Sequence, residues 1–419
     1  MFDPRLFCTP LLTALTICVA TTASGCGDAG ELADTNGSGE TETTGADTGE
    51  AEDTGETGDT GETGDEQEPP PPPPAYDEWV PIELPNTYCS DGSQYKFFVN
   101  WHEGADDLMV IFEPGGACWD YESCSGELGK LGAANPNGIS DNHMEAWGIH
   151  SPLVRRDSSQ NPMRDWNMVF VSYCTGDVHT GSRSVTYESK DGTKQLAYKH
   201  VGHDNMVAVS EWLGWQFPAT DKLYAGGCSA GGAGSNVNYF FLREAIAPNF
   251  GYLVNDSGPL FPNSVNSAPL HEQITTAWGL ETVIDETPIA AALTEDFGSI
   301  NAEMADLFPD DRLAITYFVR DFNYSRYSYE RFFEGIDEEG IHQKFWEDSL
   351  LLMDQYDDRE NLAYFLPYFR NINDSHCASI IDFGLTDVGE WQLGDFIELV
   401  LDDSLPLQSF VDPDGSQGP

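Results

Sequence analysis

Residues 76–419 of this 419-residue chain predict an α/β domain, a mainly parallel central sheet flanked by helices with loop and helix insertions. Two patterns carry that prediction. Short, almost wholly apolar runs recur, and between them lie stretches with apolar residues three and four apart, an alternation that builds a sheet buried on both faces. A third observation fixes its most informative point: a serine bracketed by glycines stands where one such run meets one such stretch.

The apolar runs are 108–112 (LMVIF), 168–173 (MVFVSY), 222–225, 252–254, 313–319 (LAITYFV) and 362–368. Their lengths suit buried strands. Helical spacing covers 205–215, then 232–246 before Pro248, and the acidic stretch 345–356. With 40% hydrophobic and 12% aromatic residues the chain holds enough apolar surface for a sizeable core. No repeat of 20–50 residues is visible.

The first 75 residues read differently. Residues 1–26 carry Arg5, an apolar stretch from Leu6 to Ala20 and the close Ala23-Ser24-Gly25-Cys26, which predicts a secretory leader ending at a bacterial-type lipobox with Cys26 lipidated. Residues 27–75 hold 15 acidic and no basic residues in loose Gly/Thr/Glu/Asp repeats, followed by six prolines. So little apolar surface cannot offset the entropy of ordering, and the prolines form a stiff polyproline II spacer. The expected product is an exported, lipid-anchored domain on a tether, facing the periplasm or the cell surface and touching membrane only through that anchor. The formal charge of −52 excludes a nucleic-acid binder, since phosphate would be repelled.

Six cysteines follow the tether: Cys89, Cys118, Cys124, Cys174, Cys228 and Cys377. An even number in an exported chain favours disulfides, and a short loop joins Cys118 to Cys124. Zinc-type CxxC spacing is absent, so neither metal nor cofactor is expected.

The chemistry is concentrated in Gly227-Cys228-Ser229-Ala230-Gly231. A G-x-S-x-G between a strand and a helix is a nucleophile elbow: small neighbours permit the tight turn, and the helix N-terminus favours developing negative charge. A second glycine pair, Gly115-Gly116, follows the run 108–112 and offers bare N–H groups to an oxyanion. Three histidines follow Ser229. His342 lies in an acidic helical context that reads as surface, and His271 comes early. His376, in a loop after the last apolar run, stands where a catalytic base belongs. For the acid, Asp321 follows the run 313–319 and Asp256 follows 252–254; both end strands, and Asp256 also suits a role in holding the loop beneath the elbow. Asp177 and His179 make two metal ligands without a third, so pocket lining is the better reading for them.

The blocks EPGGACWDYESC, VSYCTGDVHTG, VGHDNM and GGCSAGGAGSNV, in this order, resemble the pectin acetylesterase family, which includes the Notum-type carboxylesterases. The resemblance runs from about Cys89 to Asp403. It implies an α/β-hydrolase-like fold and metal-free deacylation of an ester. It places the nucleophile at Ser229, the acid at Asp321, the base at His376, and the oxyanion donors at Gly116, Ala117 and Ala230. Pro114 departs from the family, where many members have glycine. Trp119, Tyr173, Asp177 and His179 are expected in the substrate pocket. The expected function is hydrolysis of an O-acyl ester, short-chain, on a saccharide such as an O-acetylated polysaccharide. The alternatives are a deacylase of lipidated protein and a binding module that has lost its chemistry.

The anchor is testable directly. Cys26→Ser should move the full chain from the detergent phase to the aqueous phase on Triton X-114 partitioning, and an unchanged membrane fraction would contradict lipidation.

Overall fold

The computed structural model describes residues 69–128, 132–146, 151–262 and 266–416. Cys26 and the tether up to residue 68 lie outside the described residues. In chain order the strands are β1 (Val80–Ile82), β2 (Phe97–Asn100), β3 (Leu108–Phe112), β4 (Asn167–Val171), β5 (Arg183–Glu188), β6 (Gln195–His200), β7 (Lys222–Cys228), β8 (Phe250–Asp256), β9 (Arg312–Thr316) and β10 (Leu362–Leu366). The main sheet runs β1-β2-β4-β3-β7-β8-β9-β10 and ends on the short strand Phe410–Val411. Within this sheet, among the described residues, pairing is antiparallel only at β1–β2 and β2–β4. From β4 onward every neighbour is parallel. This mostly parallel sheet flanked by helices is consistent with the α/β-hydrolase-like expectation.

Each apolar run becomes a strand because its side chains face apolar neighbours on both sides. All five residues of β3, of β4 and of β10 are buried. Burying one Val, Leu, Ile, Phe or Met side chain contributes about 1.5–3 kcal/mol, which outweighs local preference. Helices Gly202–Gln216 and Ala230–Ile246 pack on each other, and the second also packs on β7 and β8. Helix Glu338–Asp357 packs against Phe322–Tyr329 and β10. Periodicity did not announce the hairpin of β5 and β6, whose sequences RSVTYE and QLAYKH are mostly exposed or half-exposed. His342, read from its neighbours as a surface residue, is instead buried beside Phe322.

Three disulfides close the body: Cys89–Cys174, Cys118–Cys124 and Cys228–Cys377. The last joins the end of β7 to the segment following β10.

Parallel register brings the functional ends together. Phe112 sits opposite Gly227, Cys228 opposite Asp256, Asp256 opposite Thr316, and Thr316 opposite Phe365. Loops leaving β3, β7, β8, β9 and β10 therefore emerge side by side along the carboxyl edge, the place where α/β sheets bind ligands.

Close approach of the helix Ala230–Ile246 to β3 requires Gly231, because a Cβ there would collide with the Phe112 backbone carbonyl. Backbone cannot rotate away as a side-chain tip can. Gly231→Ala should lower stability by about 1–3 kcal/mol through overpacking, read as a reduced urea midpoint. An unchanged midpoint would mean that strand and helix separate freely.

Candidate active site

The turn after β7 holds Ser229 at φ 58°, ψ −120°, immediately before the helix beginning at Ala230. A non-glycine residue there costs on the order of 1–3 kcal/mol and persists only when its surroundings dictate it. They do so here. Ser229 N–H donates to the Asp256 carbonyl at 2.7 Å, and Ala233 N–H donates to the Ser229 carbonyl at 3.0 Å. A Cβ on Gly227 would meet the Phe112 carbonyl, and one on Gly258 would meet Ala233 and Ser229 backbone atoms. Small residues on every side are the condition for this turn.

Two loops further along the sheet edge, His376 Nδ1 lies 2.7 Å from Asp321 Oδ2, both residues buried. A carboxylate accepts, so Nδ1 carries the hydrogen and Nε2 is left with its lone pair. Asp321 is itself fixed: its Oδ1 accepts Tyr324 N–H at 2.9 Å and caps the helix Phe322–Tyr329. Burial of His376 disfavours its charged form. The charge and hydrogen bond of Asp321 outweigh that, with a smaller contribution from Asp256 and opposition from Arg370, and the imidazole is held above its ordinary value. Ser229 and His376 are also joined through their sequence neighbours. Cys228 precedes Ser229, Cys377 follows His376, and the two cysteines are bonded. A ring nitrogen of His376 lies within 4.8 Å of both sulfurs.

The loop after β3 is gripped from behind. Neutral His179, held down to about 4 by burial, donates Nε2–H to the Glu113 carbonyl at 2.9 Å. The Tyr173 hydroxyl donates to the Gly116 carbonyl at 2.9 Å. Cys118 N–H donates to the Gly176 carbonyl, and the Trp278 indole donates to the Cys118 carbonyl at 2.7 Å. In a planar trans peptide C=O and N–H point opposite ways. Tying the Gly116 carbonyl back to Tyr173 therefore turns the Ala117 N–H away from Tyr173. Gly116, at φ +83°, makes the necessary bend.

One cavity is lined by Ser229, Ala230, Gly116 and Ala117. Its remaining wall is apolar and aromatic, with Trp119, Phe261, Leu270, Ile274, Trp278 and Tyr327 prominent. Trp119 is flanked by Phe332 and the Arg331 guanidinium.

Tyr173, Asp177 and His179 do not line this cavity, contrary to the sequence expectation. Asp177 is fully buried and accepts from Thr175 Oγ1, His179 N–H, Gly181 N–H and Gly202 N–H. Burial raises its carboxyl to about 6 despite those bonds. With Tyr173 and His179 it organises the back of the loop that follows β3. Between Asp177 and His179, Val178 alone reaches the cavity. Asp256, the alternative acid, does not face the His376 ring as a hydrogen-bond partner; its carboxylate bonds Ala378 and Ser379. His271 lines the cavity against Phe297. Sequence reasoning missed Tyr324 and Tyr327, whose only signal was their position just after Asp321.

The pectinacetylesterase family model matches residues 82–313, a span that includes Ser229 but stops short of Asp321 and His376. Over 168 residues the chain is 27% identical to pectin acetylesterase 4 of Arabidopsis thaliana, covering 38% of this chain and 37% of that protein. It is 29% identical over 165 residues to the palmitoleoyl-protein carboxylesterase notum1 of Xenopus laevis, covering 38% and 30%. To human palmitoleoyl-protein carboxylesterase NOTUM it is 25% identical over 161 residues, covering 38% and 30%. The aligned segment thus spans less than two fifths of each relative's length. With more than half of its residues matched in one continuous span, the chain belongs to the pectinacetylesterase family.

Proposed function

We propose that this protein is a serine carboxylester hydrolase that deacylates an O-acyl ester through Ser229, His376 and Asp321. The observation that carries the reading is the buried Asp321–His376 pair, covalently tethered through Cys377 and Cys228 to the strained serine elbow. A module that only binds has no use for a strained serine and a buried, oriented imidazole.

In this reading His376 Nε2 takes the Ser229 Oγ proton as Oγ attacks the ester carbonyl. Asp321 keeps Nδ1 protonated and stabilises the imidazolium. Negative charge gathers on the former carbonyl oxygen, which N–H groups of Gly116, Ala117 and Ala230 receive. Loss of one such donor costs about 10²–10³ in kcat. Collapse expels the alcohol with the proton from His376, leaving an acyl-serine. Water, deprotonated by the same imidazole, then releases the carboxylic acid. No step calls on a metal or cofactor.

The substrate is an acyl ester carried on a saccharide or a similar alcohol, with a short acyl chain seated in the apolar cavity. The names of the relatives span acetyl esters and palmitoleoyl esters, and a cavity walled by Trp119, Trp278 and Phe261 accepts more than a methyl group. That wall is the observation favouring the second reading, deacylation of a lipidated protein. Polygalacturonate itself suits the protein poorly, since a polyanion would approach a chain of net charge −52. Lipid anchoring at Cys26, with the domain displayed outside the cytoplasm, belongs to the same proposal.

The test is a panel of p-nitrophenyl esters from acetate to palmitate. Hydrolysis should show one chain-length optimum, and Ser229→Ala and His376→Ala should each lower kcat by about 10⁴-fold or more, with Asp321→Asn leaving a larger residue. Catalysis needs neutral His376, and that group titrates above the ordinary imidazole value of about 6.5. The rate should therefore rise with pH, with its half-point above 6.5. Full activity in Ser229→Ala, or a serine-directed fluorophosphonate bound elsewhere, contradicts the assignment.

A further inference from the structure

Asp256 touches no reacting atom in the mechanism above, yet it is nearly inaccessible at 1% exposure and fully occupied. Its Oδ1 accepts Ala378 N–H at 2.9 Å and Ser257 Oγ–H at 2.8 Å. Its Oδ2 accepts Ser379 N–H and Ser379 Oγ–H, both at 2.7 Å. The neighbouring Ser257 Oγ takes Cys377 N–H at 3.1 Å. Every backbone donor from Cys377 to Ser379 is thereby held from one side. From the other, the buried Arg370 guanidinium donates to the carbonyls of Cys377 at 2.8 Å, Ala378 at 3.3 Å and His376 at 3.4 Å. Arg370 also lies over the Phe318 ring.

Resting on the hydrolase reading, we propose that Asp256 is a positioning residue that sets the distance between nucleophile and base. Its main-chain carbonyl holds the Ser229 N–H, and its carboxylate holds the two residues after Cys377. One residue therefore fixes the backbone on both sides of the proton transfer, and the Cys228–Cys377 disulfide repeats the connection covalently. The held segment needs it. Asn373, Asp374, Ser375 and Cys377 all have positive φ, conformations that non-glycine residues leave when nothing constrains them. Four donors converge on one carboxylate, which only an ionised side chain can accept together. Burial raises this carboxyl above the usual carboxylate range, and the same four bonds offset only part of that.

The charge also acts on the base. The charged groups that bear on His376 are Asp321, Asp256 and Arg370. Replacing Asp256 with a neutral residue removes a negative charge that favours the imidazolium, so the pKa of His376 falls.

The experiment uses the full chain, with Asp256→Asn beside wild type. Asparagine turns an NH₂ toward two of the four donors. The variant should lose kcat on the order of 10²-fold, the scale of a misplaced catalytic group, with KM within about twofold. The His376 imidazole, followed by NMR on histidine-labelled protein and assigned by its absence in His376→Ala, should titrate at lower pH. Asp256→Asn that is folded with wild-type kcat and an unmoved His376 titration overturns the proposal. So does a loss of kcat that merely follows the fraction unfolded while the titration stays in place. Should Asp256→Asn fail to fold, Ser257→Ala/Ser379→Ala removes two hydroxyl donors from the carboxylate and leaves its charge. It should lower kcat about tenfold at unchanged KM, and wild-type kcat there overturns the proposal. A wild-type chain that hydrolyses no ester overturns the hydrolase reading instead, and the His376 titration still decides the role of Asp256.

Discussion

Everything at this site depends on the parallel pairing of β7 with β8. That register sets Cys228 opposite Asp256, so the next peptide along, Ser229 N–H, finds the Asp256 carbonyl at 2.7 Å. This bond anchors a serine backbone that would otherwise relax out of its positive-φ turn. Glycines at 227, 231, 232 and 258 follow as consequences, since each occupies a spot where a Cβ would strike backbone. The sheet thus does more than carry the loops. It determines which atoms of the elbow have partners, and so which strained conformation is the stable one.

Buried charges do the rest of the positioning, and the energetic reasoning differs from that for an apolar core. A buried carboxylate without partners costs several kcal/mol, whereas one surrounded by hydrogen-bond donors rigidifies what it touches. Glu113 accepts Tyr173 N–H at 2.7 Å and Asn135 Nδ2 at 3.0 Å, and its other oxygen lies 3.0 Å from His143. Asp177 gathers four donors behind the loop that follows β3, and Asp256 gathers four behind the segment that follows His376. Each hub serves a loop that has little apolar surface of its own to bury. The alternative, a longer loop packed by hydrophobic contacts, would leave donors directed by nothing more specific than volume.

The sheet was legible because both its faces are covered: β3 and β10 are wholly buried, and a strand with no solvent side needs no alternation to be recognised. Ser229 was legible because its constraint is local; glycines two residues before and after it leave few other turns available. Asp321 and His376 were reachable through chain order and strand ends, though the hydrogen bond between them spans 55 residues and has no local signature. Tyr173, Asp177 and His179, expected in the pocket, lie outside the lining of the cavity beside Ser229 for a physical reason. A polar hub that aims a loop and a polar wall that meets substrate draw on the same residue types beside the same glycines. Only burial separates them, and burial is set by the helix Gly202–Gln216, whose first N–H lands on Asp177. The partners of Cys89, Cys174, Cys228 and Cys377 were equally beyond reach, since pairing depends on strand order across separations of 85 and 149 residues.

The contrast between surface and cavity bears on what the site discriminates. The chain carries 71 acidic and 19 basic residues, so an anionic alcohol portion meets repulsion well before contact, attenuated by salt over a distance of about 8 Å at physiological ionic strength. The cavity beside Ser229 is almost free of charge; its walls are Trp119, Phe261, Ile274 and Trp278, with His271 kept neutral by burial at about 4. Coulomb repulsion acts on encounter with the whole substrate, while apolar burial acts only on the acyl group seated for attack. An extra methylene in such a cavity is worth about 1–3 kcal/mol of discrimination. On the hydrolase reading proposed above, selectivity would therefore reside mainly in the acyl chain, and the alcohol portion would be chosen chiefly by lacking negative charge.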